Sequence, residues 1–431
     1  MRAPSTESLV LTFEDARRVA ERHASQVPPG ASETLDLLLS AGRVLAETIV
    51  ADRDIPPFPR STRDGYAVLA SDLARLPAKL KVIGEIKAGP LPGGVLPTLN
   101  PGETFSIMTG APAPQGADAV VMVEYTSQQD GVVEFTKGVA PGENIVAQGA
   151  EAQRCDLLVD SGALLNEAAI ALAASVGKSK VKVFVRPRVA ILTTGDEIVA
   201  IDAQPGPAQI RNSNTYSLAV QVQEAGGDPV LLPIAPDEPR RLRQLIEEGL
   251  GSDLLLMTGG VSMGRYDLVE QVLAELQAEF FFTGARIQPG KPVVFGRCQC
   301  GSGRPARSGA SAPGSSRASH KYFFGLPGNP VSTMVTFELF ARSMLEALAG
   351  MRPRPLAFLH ARLKSEIRVK TGLTRFLPAI LSGEYEQSHV ELVPWQGSGD
   401  IAARARSNCF IVIPPDREHI LAGEWVAVML R

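Results

Sequence analysis

Cysteine is scarce in this chain of 431 residues, which has only Cys155, Cys298, Cys300 and Cys409. The four are too few and too scattered for the disulfide framework of a small secreted protein. The spacing of Cys298 and Cys300 is not that of a zinc finger, and the five histidines show no metal-binding spacing. We therefore expect free thiols and no zinc site.

Neither an excess of one charge nor a long apolar run is present. Lys and Arg number 43 against 46 Asp and Glu, so the sequence has no basic field that would indicate nucleic-acid binding. No run of about 18 consecutive apolar residues occurs, and the first residues, MRAPSTESLV, lack the pattern of a signal peptide. These absences predict a cytoplasmic protein without a nucleic-acid partner or a membrane span.

The change of pattern along the chain predicts a multidomain protein of the α/β plus β class. Thr12 and Asp15 predict a capped first helix, and short alternating runs rich in turns follow it. After about Asn166, predicted strands such as RVAILTT and FFFTGARI alternate with amphipathic helices, which is typical of a doubly wound α/β domain. We predict a discontinuous N-terminal linker domain at 1–54 and 146–184, an inserted β-rich module at 55–145, the α/β domain at 185–350 and a small C-terminal β-domain at 351–431.

One stretch of the predicted α/β domain, residues 299–320, is rich in Gly, Ser, Ala and Arg and has no apolar periodicity. It predicts a disordered insertion between two strands that leaves the rest of the domain intact. An interaction tail built on its arginines is the alternative.

Three strand-to-helix connections in the predicted α/β domain have unusual loops, with the sequences TTGDEIV, TGGVSMGRYD and GLPGNPVS. Such connections leave the carboxyl edge of a parallel sheet, where ligands bind. Glycine turns at helix N-termini suit phosphate or another oxyanion, although a single glycine-rich turn often has only a geometric cause. Three on one edge predict a pocket. Its candidate ligand-binding residues are Thr194, Gly195, Asp196, Gly259, Gly260, Ser262, Gly264, Gly328 and Asn329.

Acidic residues follow the same predicted edge: Asp196, Glu197, Asp237 and Asp267. Carboxylates beside a bound phosphate would repel it, so they imply a hard cation such as Mg²⁺. The alternative is that Asp237 and Asp267 only cap helices, whereas capping explains Glu197 poorly. Lys291, between a glycine and a proline in QPGKP, presents a charge to an anion or is an ordinary solvated turn lysine.

Taken in order, the motifs TGDEIV, IRNSN, TGGVSMGRYD, QPGKP and GLPGNPVS resemble the molybdopterin molybdenumtransferase family, whose eukaryotic relative is the E domain of gephyrin. PPFPRSTRDGYAV and IMTGAPAPQGADAVVMVE near the N-terminus, and TGLTRFLPAIL and PWQGSGDIAARARSNCFIVIP near the C-terminus, are similar to segments of the same family. The resemblance covers essentially the whole chain. It implies a Mg²⁺-dependent enzyme that inserts molybdenum from molybdate into adenylylated molybdopterin and releases AMP.

The resemblance also implies the site residues and the assembly. The acids that would bind the metal and act in catalysis are Asp64, Glu197, Asp237 and Asp267. The family forms an elongated homodimer, in which Asp64 and Thr109 of one β-module would complete the partner's site. The residues implied for molybdate are Lys291, Ser332, Arg375 and Ser398. A tetrahedral dianion suits such a set of cations and hydroxyls.

The chain departs from the family pattern in one segment. Gly149, Ala150 and Glu151 stand where the family usually has Gly-Glu-Asp, and Cys155 replaces a usual glycine. These departures leave the role of that segment in the site open.

Three alternatives for the function also remain open. The alternatives are insertion of tungstate, a non-catalytic scaffold that binds the pterin nucleotide, and a generic nucleotide-dependent transferase. A molybdopterin adenylyltransferase is a candidate protein partner.

Overall fold

The structure is a computed structural model that describes residues 9–90, 92–260, 268–299, 320–352 and 354–430. Within these ranges, no helix is long and apolar enough to cross a membrane. Residues 300–319 of the predicted insertion lie outside the described part of the chain. Three predicted site residues, Ser262, Gly264 and Asp267, lie outside it as well.

The first helix begins at the predicted cap. Thr12 Oγ1 accepts a hydrogen bond from the Asp15 N–H at 3.1 Å and donates one to the Asp15 carboxylate at 2.9 Å. Phe13 and Ala16 pack this helix against the core of the α/β domain. The elements in this part of the chain are β1 Val10–Leu11, α1 Phe13–Ala24, β2 Ser32–Asp36, a 3₁₀ helix Leu37–Ser40, β3 Ile49–Val50 and β4 Arg60–Ser61.

A β-rich module follows, and the chain then returns to its first part. The strands of the module are β5 Gly65–Val68, β6 Ala78–Ile86, β7 Glu103–Ile107, β8 Ala119–Met122, β9 Thr126–Gln129 and β10 Val132–Phe135. They form a six-stranded sheet in the order β8-β5-β7-β6-β10-β9. The returning elements are β11 Ile145–Val146, β12 Leu157–Val159, α2 Glu167–Ser175 and β13 Lys180–Phe184. Because β11, β12 and β13 pair antiparallel with β4, β3 and β2, the segments before and after the module are joined.

The α/β domain has a six-stranded sheet in the order β17-β14-β18-β23-β22-β19, in which the first four strands are parallel. Its elements are β14 Arg188–Thr193, β15 Ile198–Val199, β16 Ile210–Arg211, α3 Asn214–Glu224, β17 Asp228–Leu231, α4 Pro239–Gly249, β18 Leu254–Thr258, α5 Leu268–Glu275, β19 Glu279–Phe282, β20 Gly284–Ala285, β21 Ile287–Gln288, β22 Val294–Gln299, β23 His320–Leu326, α6 Pro330–Thr336, a π-helical segment Phe337–Ala341 and α7 Arg342–Leu348. Helices cover both faces: Val189 packs in the cluster that includes α1 and α3, and Ala190 in the cluster that includes α4 and α5. The predicted doubly wound class is confirmed.

The segment FFFTGARI, predicted as one strand, is three. Only Glu279–Phe282 joins the central sheet. Gly284–Ala285 pairs with β1, and Ile287–Gln288 pairs with a strand of the C-terminal domain. That prediction was wrong because an apolar run does not reveal that its partners change along its length.

The C-terminal domain is built on a third six-stranded sheet, in the order β21-β26-β27-β24-β30-β28. Its own elements are β24 Leu359–Leu363, β25 Ile367–Arg368, β26 Thr374–Ser382, β27 His389–Leu392, α8 Ile401–Arg406, β28 Cys409–Ile413, β29 His419–Ile420 and β30 Trp425–Leu430. Since β21 belongs to the preceding domain, this sheet ties the two domains together.

A buried charged group joins successive turns of the helix that ends the α/β domain. Arg342 donates to Glu346 at 3.0 Å and to Glu338 at 3.2 Å, and all three residues are buried. Arg354 also donates to Glu346, at 2.6 Å. Removing one partner from such a group leaves uncompensated charge in a medium that solvates it poorly.

Arg342→Ala is therefore expected to destabilise the protein by about 3–5 kcal/mol. Arg243→Ala, which removes an exposed partner of Glu247 on α4, should cost at most about 1 kcal/mol. Thermal unfolding of both variants measures the difference. Equal small shifts in the unfolding midpoint would show that the buried group contributes no more than a surface pair.

Candidate functional site

Three parallel strands end level with one another, and the loops that follow them surround one cavity. Thr193 is in register with Thr258 across β14 and β18, and Thr258 is in register with Leu326 across β18 and β23. The loops after these strands line a cavity of about 360 Å³. The start of α3 and the β15–β16 pair form its other wall. Its size and its position at the strand ends suit a small ligand.

The structure brings part of the predicted site to this cavity. The predicted residues that line it are Thr194, Glu197, Gly259, Gly260, Gly328 and Asn329. The helix α6 begins after Asn329, as predicted, but the Asn329 side chain makes no capping hydrogen bond. That side chain is therefore not committed to holding the helix end.

The acids after β14 and β17 lie together at the edge of the cavity. Thr194 bridges Ala235, and Asp196 accepts a hydrogen bond from the Asp237 N–H at 3.0 Å. Partial burial raises the pKa of Asp237 above its usual value, and the nearby negative charges of Asp196 and Glu197 raise it further. A cation bound here would relieve this repulsion.

Capping does not account for Asp237. The carboxylate that caps α4 belongs to Glu238, which accepts a hydrogen bond from the Arg241 N–H at 3.2 Å. The alternative that Asp237 only caps this helix is therefore wrong.

Over the residues that the structure describes, no group of three or more His, Cys, Asp or Glu side chains forms a metal site. The carboxylates of Glu197 and Asp237 fit Mg²⁺ in kind, because this ion takes oxygen ligands. They suffice only if a bound phosphate supplies further oxygens, which is how Mg²⁺ is often held.

Asp64 and Thr109 lie together, but away from this cavity in the same chain. The Thr109 N–H donates to Asp64 Oδ1 at 2.7 Å. That bond and a second one from the Thr109 side chain hold the pKa of Asp64 below its usual value. The described residues that line the cavity all lie between 193 and 330. Asp64 is thus an exposed, ionised carboxylate on the β-module.

The four residues predicted for molybdate lie on segments that adjoin one another between the α/β and C-terminal domains. Gln288, three positions before Lys291, is in register with Arg375. The Val331 N–H, next to Ser332, donates to the Ser398 carbonyl at 3.0 Å. Arg375 is buried and donates to the Lys370 carbonyl at 2.7 and 3.2 Å.

Comparison with known proteins gives the family. Family models match residues 11–177 as the MoeA N-terminal region (domain I and II), 190–347 as a probable molybdopterin binding domain, and 360–430 as the MoeA C-terminal region (domain IV). A molybdopterin molybdenumtransferase of Nostoc sp. is 34% identical over 92% of this chain and 88% of its own length. The chain belongs to the molybdopterin molybdenumtransferase family. A relative of the same name from Haemophilus influenzae is 31% identical over 97% of this chain and 98% of its own length.

Two solved structures share the fold. A molybdopterin biosynthesis moeA protein from Pyrococcus horikoshii is 33% identical, with a TM-score of 0.68, over 98% of this chain and 99% of that one. A second structure from this organism is 26% identical, with a TM-score of 0.75, and covers 98% of this chain and 100% of that one. The family resemblance and the fold class predicted from the sequence are both confirmed.

A buried polar network beneath the cavity of this molybdenumtransferase-family chain was not predicted. Asn214 Nδ2 donates to Thr258 Oγ1 at 2.9 Å and to the Gly328 carbonyl at 2.7 Å. Thr258 in turn donates to the Pro327 carbonyl at 3.0 Å. The network links the start of α3 to the end of β18 and to the loop after β23. The polar run IRNSN and the threonine that ends the apolar strand LLLMT are the sequence signals that could have indicated it.

A substitution at Gly259 tests how closely the segment after β18 must approach the segment after β14. It has a φ of +87°, and a Cβ atom there would lie 2.4 Å from the Thr194 carbonyl oxygen. Gly259→Ala should therefore cost about 1–2 kcal/mol for the left-handed backbone and more for the displaced loop. Gly102→Ala is the control, because Gly102 has a φ of +82° with open space around it. Thermal unfolding should show a clearly larger loss for Gly259→Ala, and equal losses would mean that the loops are not in tight contact.

Proposed function

We propose that this protein inserts molybdenum from molybdate into adenylylated molybdopterin and releases AMP, giving the molybdenum cofactor. Beyond the family, one observation carries the proposal. The segment from Pro327 to Ser332, which includes the start of α6, borders the cavity with Gly328 and Asn329, and its Val331 N–H donates a hydrogen bond to the Ser398 carbonyl. A nucleotide in the cavity and an oxyanion near Ser398 would therefore be neighbours, as a transfer between them requires.

The oxyanion would be bound by Lys291, Ser332, Arg375 and Ser398. Two cations and two hydroxyls provide the charge and the donors for a tetrahedral dianion. Tungstate has the same shape and charge as molybdate, so this set of residues accepts either.

The acids after β14 and β17, at the edge of the cavity, would hold Mg²⁺ together with the phosphates of the substrate. We assign Glu197 and Asp237 to this role, with Asp267 on the sequence motif alone. Mg²⁺ supplies charge neutralisation for cleavage of the P–O bond to AMP, and no covalent protein nucleophile is required. Asp196, whose carboxylate accepts from the Asp237 N–H, would position the loop. Thr194, Gly195, Gly259, Gly260, Gly328 and Asn329 would contact the nucleotide.

Asp64 and Thr109 would complete the cavity of a partner subunit in a homodimer. Two features support this assignment. The Asp64 carboxylate is exposed and is held in place by Thr109. It also lies on a module that contributes nothing to the cavity of its own chain among the described lining residues. We place this homodimer in the cytoplasm, where a molybdopterin adenylyltransferase would supply the substrate.

The direct test is AMP release from adenylylated molybdopterin with Mg²⁺, measured with and without molybdate. We expect release that depends on molybdate, and a loss of about 100-fold or more in Glu197→Gln. Glu247→Gln is the matched control, since Glu247 lies on the exposed side of α4 and pairs with Arg243. A wild-type protein that binds the nucleotide without releasing AMP would instead be a scaffold. Release that responds to tungstate alone would favour the tungsten alternative.

Mixing two inactive variants tests the shared site. If Asp64 acts on the partner's cavity, one of the two sites in an Asp64→Asn/Glu197→Gln heterodimer is fully wild type. A 1:1 mixture that exchanges subunits should then recover about one quarter of the wild-type activity. No recovery in a mixture with proven exchange would place both residues in the site of a single chain.

A further inference from the structure

Two buried polar atoms beside the cavity, Thr194 Oγ1 and Asn214 Oδ1, have no hydrogen-bond partner within the described part of the chain. Both residues line the cavity, and they are only 3% and 8% exposed. Buried polar atoms are nearly always hydrogen-bonded, because leaving one unsatisfied costs free energy. Two such atoms on one cavity wall therefore indicate groups that a ligand satisfies.

The orientation of the Asn214 amide defines what that ligand must offer. Its nitrogen donates to the Gly328 carbonyl, an atom that can only accept. Turning the amide over would set two acceptor oxygens against each other, so the assignment of Oδ1 is fixed by its surroundings. Asn214 Oδ1 accordingly requires an N–H or O–H donor. The Thr194 hydroxyl can donate or accept.

The polar and charged groups of the cavity wall argue against a phosphate bonded directly to Asn214. Among the described lining residues, the charged side chains are Glu197 and Arg211. Arg211 is exposed and donates to the Ala203 carbonyl at 3.1 Å. Ile198 and Ile210 add apolar surface. A fully ionised phosphate would have no proton to give to Asn214 Oδ1, so it would bind instead at the acidic edge, where Glu197 and Asp237 are proposed to hold Mg²⁺.

The two glycines of the loop after β18 agree with this assignment. A Cβ atom on Gly260 would lie 2.9 Å from Thr194 Oγ1, and one on Gly259 would lie 3.1 Å from it. Glycine at both positions therefore lets the backbone of Gly259 and Gly260 pass close to Thr194 without crowding its hydroxyl. Close packing against Thr194 accounts for glycine at both positions, so no bound phosphate is needed to explain them.

We propose that Thr194 and Asn214 form a substrate-reading pair that binds a neutral, proton-bearing part of the substrate, either the N–H edge of the pterin or a hydroxyl of the ribose. The pair would determine which part of the pterin nucleotide enters this end of the cavity and would leave the phosphates to the acidic edge. The inference rests on the proposed function, because it takes a pterin nucleotide as the substrate.

Thr194→Val gives the sharpest test, because its hydroxyl has no structural partner to lose. We expect an unchanged or higher unfolding temperature together with a 5- to 10-fold weaker affinity, roughly the value of one hydrogen bond, for one of two probes. Isothermal titration with molybdopterin, which lacks ribose, and with AMP, which lacks pterin, distinguishes the two sources of the donor. Thr194→Ser keeps the hydroxyl and should keep the affinity.

Thr193→Val provides the structural comparison. The Thr193 hydroxyl is bonded to Thr215 at 2.8 Å, so its removal should lower the unfolding temperature, unlike the change at Thr194. Unchanged affinity of Thr194→Val for both probes would overturn the inference and assign the hydroxyl to bound water. A fall in unfolding temperature in Thr194→Val as large as that in Thr193→Val would also overturn it. If the wild type binds neither probe and releases no AMP, the proposed function fails instead.

Discussion

The parallel register of β14, β18 and β23 is the constraint on which the site depends. It sets Thr193, Thr258 and Leu326 level at one sheet edge, so the loops after them begin at the same height. Level strands alone would leave those loops free to separate. Asn214 ties one of them to the sheet, because its side-chain nitrogen is bonded to the end of β18 and to the loop after β23. The cavity is therefore held by buried hydrogen bonds as well as by the sheet.

The central fold was predictable because its signals are local. RVAILTT and DLLLMT are continuous apolar runs, and alternate residues of β14 face opposite cores, Val189 one and Ala190 the other. The pairing of Gln288 with Arg375 has no such signal, because nothing in either segment specifies a partner in another domain. Without the family resemblance, Lys291 and Arg375 could not have been assigned to one site.

Polar residues near helix starts were the least predictable part of the site. Asp237 and Asn214 both occupy positions where a helix cap is the ordinary explanation. Glu238 caps α4 in place of Asp237, and the Asn214 side chain crosses to other loops. Cys155 is a departure from the family pattern that the structure explains. Its backbone φ is +74°, a left-handed conformation that glycine adopts most easily, which is why glycine is usual at this position. The left-handed turn is kept in this chain, although a residue with a side chain is strained in that conformation.

The distribution of charge explains how two anionic substrates could be brought together for the proposed transfer. Molybdate and a nucleotide phosphate are both anions, and like charges brought close together in a poorly solvated cleft repel strongly. Lys291 follows β21 and Arg375 lies in β26 of the C-terminal domain, whereas Glu197 lines the cavity and is close enough to Asp237 to raise its pKa, so a cation would offset the two acids. The acids alone would repel the phosphate that they are proposed to help bind. Occupation by the cation and by the nucleotide should therefore be coupled, so that each raises the affinity for the other.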